Sequence, residues 1–117
     1  MQYALLYYTQ ANPVDSLPAS ERDAWYAEMR AWREELERAG VFRAGLRLAG
    51  VDTATSLRGQ GGRLLVADGP FAESKEILGG LTVVECGSRE EALGWARRCP
   101  IVRIGTVEVR PEFAAPR

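Results

Sequence analysis

The chain has 117 residues, a length typical of one domain, and we predict a single domain over residues 1–117. Hydrophobic residues make up 46% and charged residues 26% of the sequence, which is too apolar for intrinsic disorder. The 15 basic and 16 acidic side chains leave a net charge of −1, so we expect no nucleic-acid partner. No apolar stretch approaches the roughly 18 residues of a membrane span, and the start lacks the basic region of a signal peptide. These features predict a cytoplasmic protein that does not enter the membrane.

The cysteines do not have the spacing of a metal site. Cys86 and Cys99 stand far apart, and the chain contains no histidine. A metal centre of the common cysteine and histidine type would therefore have too few ligands. We expect no metal, no cofactor and two reduced structural thiols.

The first third of the chain predicts a strand, a loop and a helix. Residues 2–8 place apolar side chains on both faces of a strand, as in a central strand covered on both sides. Breaker residues mark a loop over residues 9–18, and Ser20 and Gly40 fit the start and end of a helix. An apolar stripe recurs at helical spacing between them, formed by Trp25, Met29, Trp32 and Leu36. This stripe either packs as plain core, which we favour, or lines a ligand pocket.

The rest of the chain predicts five strands and a second helix. Modest strands cover residues 41–48, 53–58 and 63–67, and the glycine-rich residues 59–62 form a hairpin turn between the last two. A β-rich run follows at residues 81–86. Ser88 begins a capping box that opens a helix ending before Pro100, and residues 106–110 form the final strand. One helical face of this segment carries Ala92, Trp95, Ala96 and Cys99.

The order of elements, β-α-β-β-β-β-α-β, predicts the fold class. With all strands in one sheet and both helices on one face, the chain has an α+β fold of the ferredoxin-like, split β-α-β kind. The other sheet face is then left without a cover. Since the first strand is apolar on both sides, a second copy related by a two-fold axis is the expected cover. We therefore predict a homodimer.

One long motif carries a family resemblance. Residues 68–80, with the sequence DGPFAESKEILGG, closely resemble the signature of the YCII-related, DGPF-motif family. The opening MQYALLYY, the later SREEALGWA and the closing GTVEVRP are similar to the same family. The resemblance implies a dimeric α+β barrel built from two ferredoxin-like copies.

The resemblance leaves the activity open. Some members are similar to dehydrochlorinases that act on small chlorinated aromatic compounds through a histidine and an aspartate, and others are encoded beside sigma factors. A chain without histidine lacks that acid–base pair. Asp68 resembles the motif aspartate and would serve alone as acid or base only if burial raised its pKa towards neutrality.

The motif is both a turn and a cluster of charge. Asp68, Gly69 and Pro70 suit a turn, while Glu73 and Lys75 add charges within a few residues. As candidate ligand-binding residues we take Glu73, Lys75, Tyr7 and Phe71, with Asp68 as the candidate catalytic residue. The alternative is an exposed ion cluster around a turn, which contributes little energy. Arg43 and Arg47 alternate on the second strand and lie within reach of a pocket between the sheet and the first helix.

Three functions remain open on this sequence. The first is a non-catalytic homodimer that binds a small organic ligand, with a link to transcription regulation. The second is a small-molecule enzyme, a dehydrochlorinase-like lyase or an isomerase, that uses Asp68 without a histidine partner. In the third, the motif only supports the fold, and Phe71 fills the core.

Overall fold

The computed structural model describes residues 1–114 of the chain. Its elements follow the predicted order: β1 Gln2–Thr9, α1 Ala19–Arg38, β2 Phe42–Arg47, β3 Thr55–Gln60, β4 Arg63–Asp68, β5 Ile77–Glu85, α2 Arg89–Arg97 and β6 Gly105–Pro111. Short 3-10 turns occupy Val51–Thr53 and Pro100–Arg103. The mixed α+β class is therefore confirmed.

The strands form a four-stranded sheet and a separate hairpin. The sheet has the order β2-β5-β1-β6 with every pair antiparallel, and β1 is a central strand, as predicted. The prediction of a single sheet was wrong, because β3 and β4 pair only with each other. A tight turn closes this hairpin at Gly61 and Gly62, whose φ angles of 58° and 77° favour glycine. Periodicity identifies strands but not their partners, which is why the hairpin was placed in the sheet.

The core lies between the two helices and one face of the sheet, here called the helix face. Trp32 and Leu36 of α1 and Ala92 and Ala96 of α2 share one buried cluster with the β1 side chains. The Trp32 indole N–H donates to the Trp95 carbonyl at 3.1 Å, which ties the two helices together. Of the predicted stripe, Trp25 and Met29 are only half-buried, because the sheet beneath them leaves a cleft.

The predicted N-terminal cap is present in α2, whereas α1 begins earlier than predicted. Ser88 caps α2, since its hydroxyl oxygen accepts the Glu91 N–H at 3.2 Å. In α1, however, the carbonyl of Pro18 accepts the Arg22 N–H at 2.9 Å, so the helix begins at Ala19 and not after Ser20. Proline stands ahead of α1 without a side-chain cap, and the serine falls inside the first turn.

The second face of the sheet, here called the outer face, is not covered by either helix. Alternation along the strands places an apolar set there: Ala4, Leu6, Leu46, Leu81 and Val83. Leu46 is 60% exposed, and the other four are half-buried. Ala44, beside Leu46 on the same face, is exposed as well. Within residues 1–114, no helix is both long enough and apolar enough to cross a membrane. The outer face thus carries an apolar patch on β1, β2 and β5 that remains open in one chain, beside Glu108 and Arg110 of β6.

Candidate functional site

A cleft of about 750 Å³ opens between α1 and the helix face of the sheet. Two glycines lie in the sheet along the cleft, Gly45 on β2 and Gly80 on β5. A Cβ atom at Gly80 would lie 2.7 Å from the Leu46 carbonyl oxygen, so glycine there permits the close pairing of β5 with β2. A Cβ atom at Gly45 would lie 3.4 Å from the Phe42 ring and 3.8 Å from the Thr82 hydroxyl oxygen. Because Gly45 carries no side chain, the space between this part of β2 and α1 stays unfilled.

Aromatic and aliphatic side chains form the walls of the cleft. They come from α1, from β2 and from the turn after α2: Trp25, Tyr26, Met29, Trp32, Phe42 and Ile101. Flat aromatic walls with a few polar groups are typical of sites for small organic molecules. A ligand with a planar, largely apolar body matches this lining.

The floor of the cleft carries a buried pair of hydroxyl groups. The Tyr7 and Thr82 hydroxyl oxygens lie 2.5 Å apart, and the Cys99 thiol lies beside Tyr7. Burial raises the pKa of Tyr7 above its ordinary value, and burial raises the pKa of Cys99 to about 11. At neutral pH the floor therefore offers neutral hydrogen-bonding groups.

The raised pKa of Cys99 predicts a loss of stability in alkali. The unfolded chain releases this proton near pH 9, whereas the folded chain holds it up to about pH 11. Between these values the unfolded state binds fewer protons, so the free energy of unfolding falls by about 1.4 kcal/mol per pH unit. Below pH 9 the Cys99 thiol stays protonated in both states, so this loss of stability is absent there.

Urea unfolding at a series of alkaline pH values measures this fall, and the Cys99→Ala variant is the comparison. We expect the variant to lose less stability between about pH 9 and pH 10, before tyrosine ionises in the unfolded chain. Cys86, whose pKa burial also raises, is present in both proteins. If the free energy of unfolding fell equally steeply with pH in the two proteins over this range, the prediction would be wrong.

The rim of the cleft is basic. Arg47 donates to the Tyr26 hydroxyl at 2.7 Å and lies 3.5 Å from a carboxylate oxygen of Asp15. The Tyr26 hydroxyl in turn donates to Asp15 at 3.2 Å, and the guanidinium group lies 5.1 Å from the centre of the Tyr26 ring. Arg30 and Arg33 line the same side. Arg33 also donates to a carboxylate oxygen of Glu37 at 2.8 Å. Three arginines against Asp15 and Glu37 leave one positive charge in excess at the rim, which favours an anionic ligand group.

Arg47 confirms one expectation from the sequence, and Arg43 overturns another. Both arginines were expected within reach of a pocket beneath the first helix. Arg43 instead turns back along its own strand and donates to the carbonyl oxygens of Gly40 and Phe42 at 2.9 and 3.0 Å. A break in the β2 register between Phe42 and Ala44 accompanies this difference.

The DGPF motif lies away from the cleft in a single chain. Asp68 ends β4 and is exposed, as are Glu73 and Lys75 in the loop that leads back to β5. Gly69 has a φ of 97°, and its N–H donates to the Ala54 carbonyl at 2.7 Å, so the predicted turn is present. Phe71 is 87% exposed, which corrects the hypothesis that it fills the core.

Of the predicted site residues, only Tyr7 lines the cleft within one chain. The roles given to Asp68, Glu73, Lys75 and Phe71 stay predictions. Sequence reasoning missed Gly45 and Thr82. The available signals were a glycine inside a strand pattern and a threonine within an apolar run, and both are weak without knowledge of the strand pairing.

The chain belongs to the YCII-related family, because the model of the YCII-related domain matches residues 1–113. It is 34% identical over 113 residues to the uncharacterized protein R00369 of Rhizobium meliloti (strain 1021). That match covers 95% of this chain and 91% of the relative. The family predicted from the motif is confirmed.

A solved structure shares the fold. The chain is similar to TftG, the 5-chloro-2-hydroxyhydroquinone dehydrochlorinase of Burkholderia phenoliruptrix AC1100, in a complex with 2,5-dihydroxybenzoquinone. The TM-score is 0.58 at 15% identity, over 98% of this chain and 96% of that chain. At this identity the likeness establishes a common fold.

Proposed function

We propose that this chain is a homodimeric protein that binds a small planar organic molecule in the cleft beneath α1. The observation that carries the proposal is the cleft itself, which combines aromatic walls, a floor of two hydroxyl groups and a basic rim. Such a combination of apolar lining and a few placed polar groups is the general pattern of small-molecule sites.

The lining also indicates the chemistry of the ligand. Trp25, Trp32 and Phe42 suit the faces and edges of a ring, while Tyr7 and Thr82 suit hydroxyl or carbonyl oxygens on it. Arg47 suits an anionic oxygen at the rim. The compound bound by TftG, 2,5-dihydroxybenzoquinone, is a ring that carries oxygens, which supports the same ligand class here.

The dimer is supported by the exposed surface of the chain. One chain exposes 8204 Å², whereas a compact monomer of this mass exposes about 6,300 Å². The strand order β6-β1-β5-β2 with both helices on one face fits the ferredoxin-like split β-α-β plan, and we propose that two outer faces pair into an α+β barrel. A cytoplasmic location is proposed with it, in keeping with the two buried free thiols.

Calorimetric titration with 2,5-dihydroxybenzoquinone tests the binding site. Gly45→Leu adds a side chain inside the cleft, and Ala27→Leu adds the same side chain to the exposed side of α1. We expect the wild type and Ala27→Leu to bind equally and Gly45→Leu to bind at least tenfold more weakly, while all three keep the same circular dichroism spectrum. Equal binding by all three proteins, or no binding by the wild type, would contradict the proposal.

A second candidate is a dehydrochlorinase-like lyase or an isomerase in the same cleft, which the likeness to TftG favours. Tyr7 would then supply a neutral proton donor, and Asp68 would have to reach the cleft from a second copy. Chloride release from 5-chloro-2-hydroxyhydroquinone separates the candidates. Release by the wild type establishes the enzyme, whereas binding without release supports a binding protein, including one that is linked to transcription regulation.

A further inference from the structure

The β3–β4 hairpin, residues 55–68 and here called the arm, extends away from the core. All its residues are exposed except the half-buried Ser56, and none belongs to the core cluster. The radius of gyration is 16.5 Å, against about 13 Å for a compact domain of this length. The arm therefore adds surface to the chain without adding to its core.

The two faces of the arm differ in polarity. In the strand register Leu57 pairs with Val66 and Gly59 with Leu64, so these aliphatic side chains lie on one face. Leu57, Leu64 and Val66 are 64%, 66% and 62% exposed. Thr55 and Asp68 pair on the same face at the base of the arm. The second face carries four polar side chains and two apolar ones: Ser56, Arg58, Gln60, Arg63, Leu65 and Ala67. The arm is thus an amphipathic hairpin with an open apolar face.

Such an arm needs a cover. A two-stranded hairpin by itself is only marginally stable in water, and an open aliphatic face on paired strands promotes aggregation. The Arg58 and Arg63 side chains on the polar face do not shield the apolar face, because alternate residues point to opposite sides. The cover must therefore contact the side that carries Leu57, Leu64 and Val66.

The exposed area has the size that a second copy of this chain would cover. The excess over a compact monomer is about 1,900 Å² per chain, so two chains would bury about 3,800 Å². This value lies within the range of obligate homodimers, about 2,000–5,000 Å². In a two-fold dimer both copies use the same surface, so the contact that covers the arm of one copy also covers the arm of the other.

We infer that the arm of each copy packs its Leu57, Leu64 and Val66 face against the second copy and so interlocks the dimer. This inference rests on the proposed homodimer and adds a defined segment to its interface. The outer faces and the arms then account together for the apolar surface that one chain leaves open. The polar face of the arm, with Arg58 and Arg63, stays in solvent.

Two adjacent leucines of the full-length chain provide a matched test. Leu64→Glu places a charge on the apolar face of the arm, and Leu65→Glu makes the same change on the next residue, which faces the other side. Sedimentation velocity over a range of protein concentrations gives the dimer dissociation constant. We expect Leu64→Glu to raise this constant at least tenfold and Leu65→Glu to leave it within about twofold of the wild type.

Hydrogen exchange on the same proteins measures the cover directly. We expect amides in residues 55–68 to be protected in the dimer and to exchange faster in Leu64→Glu, while amides of β1 and β5 stay protected in both. A monomeric wild type would overturn the dimer and the inference together. Two results with a dimeric wild type would overturn the inference and leave the dimer standing. In the first, Leu64→Glu does not change the dimer dissociation constant, and in the second, Leu65→Glu raises it as much as Leu64→Glu does.

Discussion

Replacing Trp32 by alanine is expected to lower the free energy of unfolding by about 3–5 kcal/mol. Trp32 is buried at the junction of both helices and the sheet, with its ring edge-on to Tyr7 at a centroid distance of 6.5 Å. The variant also leaves the Trp95 carbonyl without the indole donor. Urea unfolding followed by circular dichroism measures the change.

Trp25→Ala is the control for this substitution. Trp25 belongs to the same stripe of α1 but is only half-buried, because it faces the open part of the cleft. Its removal deletes the same atoms with much less loss of packing, so we expect a clearly smaller cost. An equal cost for the two variants would show that Trp32 is not the centre of the core.

Replacing Gly105 by alanine is expected to cost about 3 kcal/mol, at the upper end of the range for overpacking. Gly105 pairs with Thr9 at the start of β6, where an added Cβ would overlap the Tyr8 carbonyl oxygen and lie 2.8 Å from the Thr9 methyl carbon. The overlap involves backbone, so a rotamer change cannot relieve it, and the β1–β6 ladder must shift. Thermal and urea unfolding measure the loss.

The same substitution at Gly94 is expected to stabilise the protein, in contrast to Gly105→Ala. Gly94 lies inside α2, and an added Cβ there meets no atom within 4 Å. Alanine is the better helix former, so we expect Gly94→Ala to raise stability by up to about 1 kcal/mol. If Gly105→Ala proved as mild as Gly94→Ala, the close approach of β6 to β1 would be wrong.

Local patterns in the sequence predicted the elements of this fold well. The stripe through Trp32 and Leu36 and the Ser88 cap each depend on neighbours within one or two turns, and both are present. The arm was predicted as a hairpin but placed in the sheet. Which strands share a sheet depends on the path of the chain between Arg47 and Thr55, and periodicity does not encode that path.

The candidate site was harder to predict for a related reason. Charge density drew attention to Asp68, Glu73 and Lys75, which lie within eight residues of the motif but outside the cleft of their own chain. The cleft is assembled from residues far apart in sequence, and part of its space comes from the missing side chain at Gly45. Tyr7 was predicted because it lies on the first strand, within reach of a pocket between the sheet and the first helix.

The segment Leu48–Gly50 joins the cleft to the arm. These residues line the cleft, and the Leu48 N–H is anchored to the Gly79 carbonyl at 2.9 Å, while the next residues turn into β3. If a second copy holds the arm, it also fixes this part of the wall. Any change that self-association makes in ligand affinity is then matched by an equal change that the ligand makes in self-association. Occupancy of the cleft would accordingly vary with the concentration of the protein as well as that of the ligand.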